Sequence, residues 1–153
     1  MAEQVPRALR ANVDLGVDTG EGAPALRVHA NALLLREAVL NLIDNAIKYS
    51  PAGGQVRLAL TPADEGWRIE VSDQGPGIPA GMEARVFDTF TRLEGSDRSK
   101  TGTGLGLAIV KAFAEAMGLS VSARTVADPA GACFTLHIPQ SLILTDIMEK
   151  DIA

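Results

Sequence analysis

Between Asn31 and Tyr49 the chain carries two helical patterns at once. Leu35, Val39, Leu42, Ile43 and Ala46 recur at the three-to-four-residue spacing that gathers apolar side chains on one helix face. Glu37, Asn41, Asn45 and Lys48, also in helical register, share a stripe opposite that face. The segment therefore predicts a long amphipathic helix ending at Ser50, where Pro51 and the pair Gly53-Gly54 stop it. Asparagine in a helix interior costs roughly several tenths of a kcal/mol against alanine, and two of them one turn apart point to a compensating use. A solvated helix face is the plain alternative. An amide oxygen is a suitable hard ligand for Mg²⁺, which keeps waters and draws other oxygens from phosphates, so the stripe suits a metal-nucleotide site better than a zinc or heme site.

The segments around this helix alternate in period. Val13, Leu15 and Val17 predict a first strand, followed by a turn or loop over the Gly/Asp-rich stretch Asp18 to Pro24. Val56-Leu58-Leu60 and Trp67-Ile69-Val71 predict a hairpin turning near Asp64 to Gly66. A second helix is expected from about Gly104 to Met117, with Ile109, Val110, Phe113 and Met117 inward and Gly118 as its stop. Strands around Val121–Val126 and Cys133–Ile138 close the pattern. The order predicts an α+β fold, a two-layer α/β sandwich with the helices on one face of a mixed, mostly antiparallel sheet. The loops at Asp73–Gly81 and Glu94–Thr103 carry no periodicity, and the second is a candidate lid.

Composition enters as exclusion. The chain has 153 residues, enough for one domain with a hydrophobic core, and its formal net charge of −5 with no basic stripe disfavours nucleic acid as a partner. Cys133 is the one cysteine, which leaves no intrachain disulfide and reads as a buried small residue. No run approaches the roughly 18 apolar residues of a membrane span, so direct membrane insertion is not expected, and the chain reads as cytoplasmic. The tail from Gln140 to Ala153 is too apolar for a plain solvated end. A helix packed on its own domain, a contact with another chain and an appended extension all stay open.

Two glycine-bearing segments supply further chemistry. Asp73-Gln-Gly75-Pro-Gly77-Ile78-Pro79 follows a strand, which sets Asp73 at the strand's mouth, where a carboxylate can accept from an exocyclic amine such as that of adenine. An Asp-initiated turn without a ligand is the alternative. Gly102-Thr-Gly104-Leu-Gly106-Leu opens the second helix, whose free N–H groups and dipole make an anion site. No Gly-Lys-Ser/Thr follows, so it is not a Walker A loop, and tight turning or close packing is the alternative.

Order and spacing of the three segments together resemble the GHKL superfamily of ATPases, with its Bergerat fold, and specifically its histidine-kinase branch, over roughly Val13 to Pro139. Glu37 to Tyr49 is similar to the N box, Asp73 to Gly77 to the G1 box, Phe87-Asp-Thr-Phe90 to the F box and Gly102 to Gly106 to the G2 box. The resemblance implies Glu37 as general base, Asn45 with Asn41 on Mg²⁺ and phosphates, and Asp73 on the adenine amine. It implies Lys48 and Tyr49 lining the nucleotide, with Gly75, Gly77 and Ile78 beside it. Arg92 is implied near the phosphates, as are Lys100, Thr101, Gly102, Thr103, Gly104, Leu105, Gly106 and Leu107. The F box favours histidine kinases over chaperone, topoisomerase, repair and anti-sigma-type serine kinase branches. The stretch Arg92 to Gly118 is similar to potassium-responsive sensor kinases.

The usual Gly-Gly after the second helix is here Gly118-Leu119, and no dimerisation helix pair precedes Val13. His29 and His137 stand in no His-Glu helical context and read as ordinary histidines. The expectation is a catalytic domain at 13–139, flanked by a linker remnant at 1–12 and a tail at 140–153. It would bind ATP and Mg²⁺ and phosphorylate a histidine on a separate dimerisation domain, which would then serve a response regulator. The parent would be anchored in the bacterial inner membrane. A nucleotide-sensing module without phosphotransfer and an anti-sigma-type serine kinase are the rival expectations.

Overall fold

The computed structural model describes residues 4–18, 26–88, 106–127 and 130–144. Its long helix α2, Ala32–Tyr49, starts where the Asn31 side chain accepts from the Leu34 amide at 3.1 Å, a favoured N-cap arrangement. It ends because Ser50 is extended, at φ −73° and ψ 140°, the conformation a following proline imposes. Before it come helix α1 (Gln4–Ala11) and strands β1 (Asp14–Asp18) and β2 (Arg27–Val28). After it come β3 (Gln55–Ala63), β4 (Gly66–Ser72), α3 (Gly106–Met117), β5 (Ser120–Ala127), β6 (Ala130–Pro139) and β7 (Ile143–Leu144).

The main sheet runs β1-β3-β4-β6-β5. β1 lies parallel to β3 and every other pairing is antiparallel, so the expected mixed, mostly antiparallel sheet is the one that forms. α2 and α3 pack on each other and against one sheet face. Alternation decides which strand residues meet them: Val56 on β3, Val71 on β4, and Phe134, Leu136 and Ile138 on β6 are buried against Leu42 and Ile43 of α2 and Val110 of α3. Phe87 adds its ring edge-to-face to Phe134, with centroids 6.2 Å apart.

One inward assignment needs correction. Ile109 is exposed, because α3 buries the stripe Val110 and Ala114, with Phe113 and Met117 partly covered, and residue 109 is turned about one residue's rotation away from it. Three elements, α1, β2 and β7, lie outside the sequence reading. Helix α1 docks through Ala8 and turns into β1 at Asn12, whose φ of 55° lets the Val13 amide reach back to the Ala8 carbonyl at 2.9 Å. At the other end of the chain, β7 pairs antiparallel with β2 in a separate two-stranded sheet, with Leu142 and Ile143 packed on the core. The described start of the tail is thus a short 3-10 turn, Gln140–Leu142, followed by strand β7, and residues 145–153 lie outside the described residues.

Candidate functional site

At the end of the sheet where β4 releases the chain, Asp73 leaves the strand without leaving β6: its amide donates to the Ala132 carbonyl at 2.9 Å. Its carboxylate is buried. Oδ1 accepts from the Gly75 amide at 2.9 Å and the Ala132 amide at 3.2 Å, so one oxygen shapes the loop and ties it to β6. Gly75 is required by contact, since a Cβ there would stand 2.5 Å from the Tyr49 carbonyl oxygen at the end of α2. Gly131 on β6 is required likewise, because a side chain would run into the Asp73 carbonyl. The glycine loop is therefore wedged between the last turn of α2 and the start of β6.

This wedge leaves about 230 Å³ of open space lined by Asn45, Tyr49, Asp73, Pro76, Gly77, Ala132 and Phe134. Most of that space is open to solvent, and its enclosed part holds about one water, so the walls mark where a ligand's edge would meet the protein and do not enclose a ligand whole. Phe134 and Ala132 make its floor apolar, while Asp73 and Asn45 supply the polar groups that fix orientation. The Lys48 ammonium lies 5.2 Å from the centre of the Tyr49 ring, within cation–π reach.

Asn45, Asn41 and Glu37 climb α2 away from this pocket at one-turn intervals, each step about 6 Å along the axis. Asn41 donates through Nδ2 to the Glu37 carbonyl at 2.8 Å. Its Oδ1 faces α3, 3.7 Å from where a Cβ on Gly106 would stand. Asn41 and the first turn of α3 are thus neighbours, at a distance where a small side chain on residue 106 would make ordinary contact. Glu37 is half-exposed and pairs with Arg36 at 3.3 Å. Among the described residues no group of three His, Cys, Asp or Glu could hold a metal ion; Asn41 and Asn45 carry amide oxygens of the hard type that Mg²⁺ accepts.

Of the residues singled out in the sequence, Asn45, Tyr49, Asp73 and Gly77 come together on the pocket wall, with Lys48 beside Tyr49. Gly75 and Ile78 shape the loop, Asn41 faces Gly106, and Glu37 stands one turn further along; Leu107 is partly buried on the core. Arg92, Lys100, Thr101, Gly102, Thr103, Gly104 and Leu105, Phe90 and the candidate lid at 94–103 lie outside the described residues. The sequence reading missed Ala132, Phe134 and Gly131, because strand alternation marks core residues and cannot say which strand end a pocket will use. It also missed Thr125, whose hydroxyl bonds both backbone groups of Ile78.

A second groove, with about 780 Å³ of open space, lies at the opposite end of the same strands, lined by residues including Trp67, Leu119, His137 and Ile138. It gathers none of the residues singled out for chemistry. On the sheet face away from the helices, Glu70 pairs with Arg68 at 3.4 Å and Arg124 at 4.0 Å, beside buried Cys133. Burial, and after it the Glu70 carboxylate, push the Cys133 thiol above its ordinary pKa.

The fold and pocket define a two-layer α/β sandwich in which one helix carries both the polar wall and the polar stripe. The family model described as histidine kinase-, DNA gyrase B-, and HSP90-like ATPase matches residues 30–142, and the chain belongs to that family. The signal transduction histidine-protein kinase/phosphatase MprB of Mycobacterium sp. (strain KMS) is 39% identical over 147 residues, covering 91% of this chain and 28% of that protein. The adaptive-response sensory kinase SasA of Synechococcus sp. (strain CC9311) is 33% identical over 128 residues, covering 82% and 33%. A solved structure of the mycobacterial sensor histidine kinase MprB superposes with a TM-score of 0.73 at 35% identity, over 91% of this chain and 95% of that one. Within the family the chain is therefore an ATP-binding catalytic domain of the sensor histidine kinase type. It spans about a third or less of the length of the curated relatives it matches. Differently named sensors match at similar identity, so no one subfamily stands out. Among the described residues no helix is long and apolar enough to cross a membrane.

Proposed function

We propose that the chain binds Mg-ATP and presents its γ-phosphate to a histidine on a separate dimerisation domain, from which a response regulator would be phosphorylated. The observation that carries this reading is the convergence of Asn45 and Tyr49 from α2 with Asp73 and Gly77 from the loop after β4 on one pocket, with Asn41 and Glu37 in line beyond it. A pocket with apolar Phe134 and Ala132 on one side and the buried Asp73 carboxylate on another suits an adenine whose exocyclic amine donates to Asp73. The remainder of the nucleotide then runs along α2 toward Asn41 and the first turn of α3, where unpaired helix N–H groups favour phosphate.

Asn45 and Asn41 are the residues that would hold Mg²⁺, which supplies charge neutralisation on the phosphates when bound. Lys48 adds positive charge at the nucleotide side of the helix. Glu37, two turns beyond Asn45, is the general base that accepts the acceptor imidazole's proton as the phosphoryl group arrives. Most of the catalytic effect is positioning, as phosphoryl transfer requires of a protein.

The experiment mixes the chain with labelled Mg-ATP and candidate histidine-containing dimerisation domains. Label appearing on the added domain, lost in acid and stable in base, supports the reading. Acid-stable label favours a serine kinase, and nucleotide binding without transfer to any histidine domain favours a nucleotide-sensing module; either outcome overturns it.

A further inference from the structure

The geometry points to Thr125 as a positioning residue for nucleotide binding, one whose hydroxyl holds the glycine loop in the shape that makes the pocket. The inference rests on the proposed function, since it concerns the same site. Thr125 lies on β5, one of the two edge strands of the sheet, and is not on the pocket wall. Its Oγ1 accepts from the Ile78 amide and donates to the Ile78 carbonyl, both at 3.0 Å, joining residues 47 apart in the chain. One hydroxyl has a donor and two lone pairs, so it can satisfy both backbone groups of one residue, as a neighbouring strand would.

The loop needs such a partner. After Ser72 the chain is no longer strand, and Gly75 and Gly77 bracket Pro76 in a stretch whose glycines have more conformational freedom to lose than any other residue. One end is held by Asp73, through Oδ1 to the Gly75 amide. The other is held by Thr125 at Ile78. The Thr125 methyl also keeps residue 77 a glycine: a Cβ there, where φ is +81°, would lie 3.0 Å from Cγ2. Gly77 lines the pocket and Ile78 follows it, so the side chain that fixes Ile78 also fixes where Gly77 meets a ligand. Without the hydroxyl, a ligand would have to order this half of the loop itself, and the cost would appear as weaker binding.

Two substitutions separate the hydroxyl from the rest of the side chain. Thr125→Val keeps the shape and the β-branching suited to a strand and removes the hydroxyl; Thr125→Ser keeps the hydroxyl and removes the methyl. The full chain is titrated with Mg-ATP and Mg-ADP by calorimetry, thermal melting is recorded, and exchange of the Ile78 amide is followed by NMR. Losing one hydroxyl that makes two bonds should weaken Mg-ATP binding about tenfold in Thr125→Val, with Thr125→Ser within about threefold of wild type. The Ile78 amide should exchange slowly in wild type and Thr125→Ser and lose protection in Thr125→Val. Thr125→Val binding within about twofold of wild type, or Thr125→Ser as weak as Thr125→Val, overturns the inference, because loss of two bonds should cost more than that. If Thr125→Val does not fold, an unprotected Ile78 amide in wild type or weak binding by Thr125→Ser still overturns it. A wild type that binds no nucleotide while its Ile78 amide is protected refutes the proposed function instead, and with it any role of Thr125 in binding.

Discussion

Replacing Asp73 separates what its carboxylate does for the loop from what it does for a ligand. In Asp73→Ala the amides of Gly75 and Ala132 both lose their acceptor. Ala132 is buried, so its stranded N–H costs about 1–3 kcal/mol, and Gly75, in a half-exposed loop, costs less; a total of about 2–4 kcal/mol follows. For a domain of this length that is a fall of roughly 5–15 °C in Tm. Asp73→Asn behaves differently. Its amide oxygen can still accept from both N–H groups, so the fold should hold, while the NH₂ group sets a donor where the carboxylate offered an acceptor. An adenine amine then meets another donor, and Mg-ATP affinity should fall by about 1–3 kcal/mol, roughly 5- to 150-fold. Paired urea or thermal melts and calorimetric titrations of the two variants check both halves. Asp73→Ala with an unchanged melt would refute the loop argument, and Asp73→Asn with wild-type ATP affinity would refute the ligand argument.

Glu37→Gln should slow phosphotransfer to an added dimerisation domain by about 10²–10⁴-fold while nucleotide affinity stays near wild type, as single-turnover transfer and titration in parallel will show. Asn45→Ala should instead weaken Mg-nucleotide binding itself, and calorimetry showing wild-type affinity would remove Asn45 from the site. Ser50 carries a buried hydroxyl with no hydrogen-bond partner among the described residues, so Ser50→Ala should be neutral or stabilising by up to about 1 kcal/mol; a clear loss in a urea melt contradicts this. Burial raises the Cys133 thiol pKa in the folded state, so its contribution to stability is present below the unfolded thiol pKa and declines as pH rises above it. Stability that increased with pH through the alkaline range in wild type relative to Cys133→Ala would contradict that sign.

The local elements of this protein are legible in the sequence because each rests on a short-range rule. The apolar face of α2 and its stop before Pro51 depend only on helix period and on what proline does to its predecessor. The β3–β4 hairpin and the β5–β6 pair follow from period-two alternation, and the polar stripe Glu37-Asn41-Asn45-Lys48 follows from counting along one helix. Ile109 shows the limit of that counting: a helix with apolar residues all along one side does not say how wide a stripe its neighbours will cover.

What only the tertiary structure decides is how distant segments share one place. Asp73 and Ala132 are 59 residues apart and Ile78 and Thr125 are 47 apart, and no local pattern encodes either meeting. The strand order β1-β3-β4-β6-β5 sets β6 beside β4, which delivers Ala132 and Phe134 to the pocket and makes Gly131 necessary against the Asp73 carbonyl. The same sheet sets β5 beside β6, which carries Thr125 to the glycine loop. The pairing of β7 with β2 likewise joins segments from the two ends of the domain. Periodicity records which side of an element is buried; which partner buries it is settled by the sheet's connectivity, and that is a property of the whole chain.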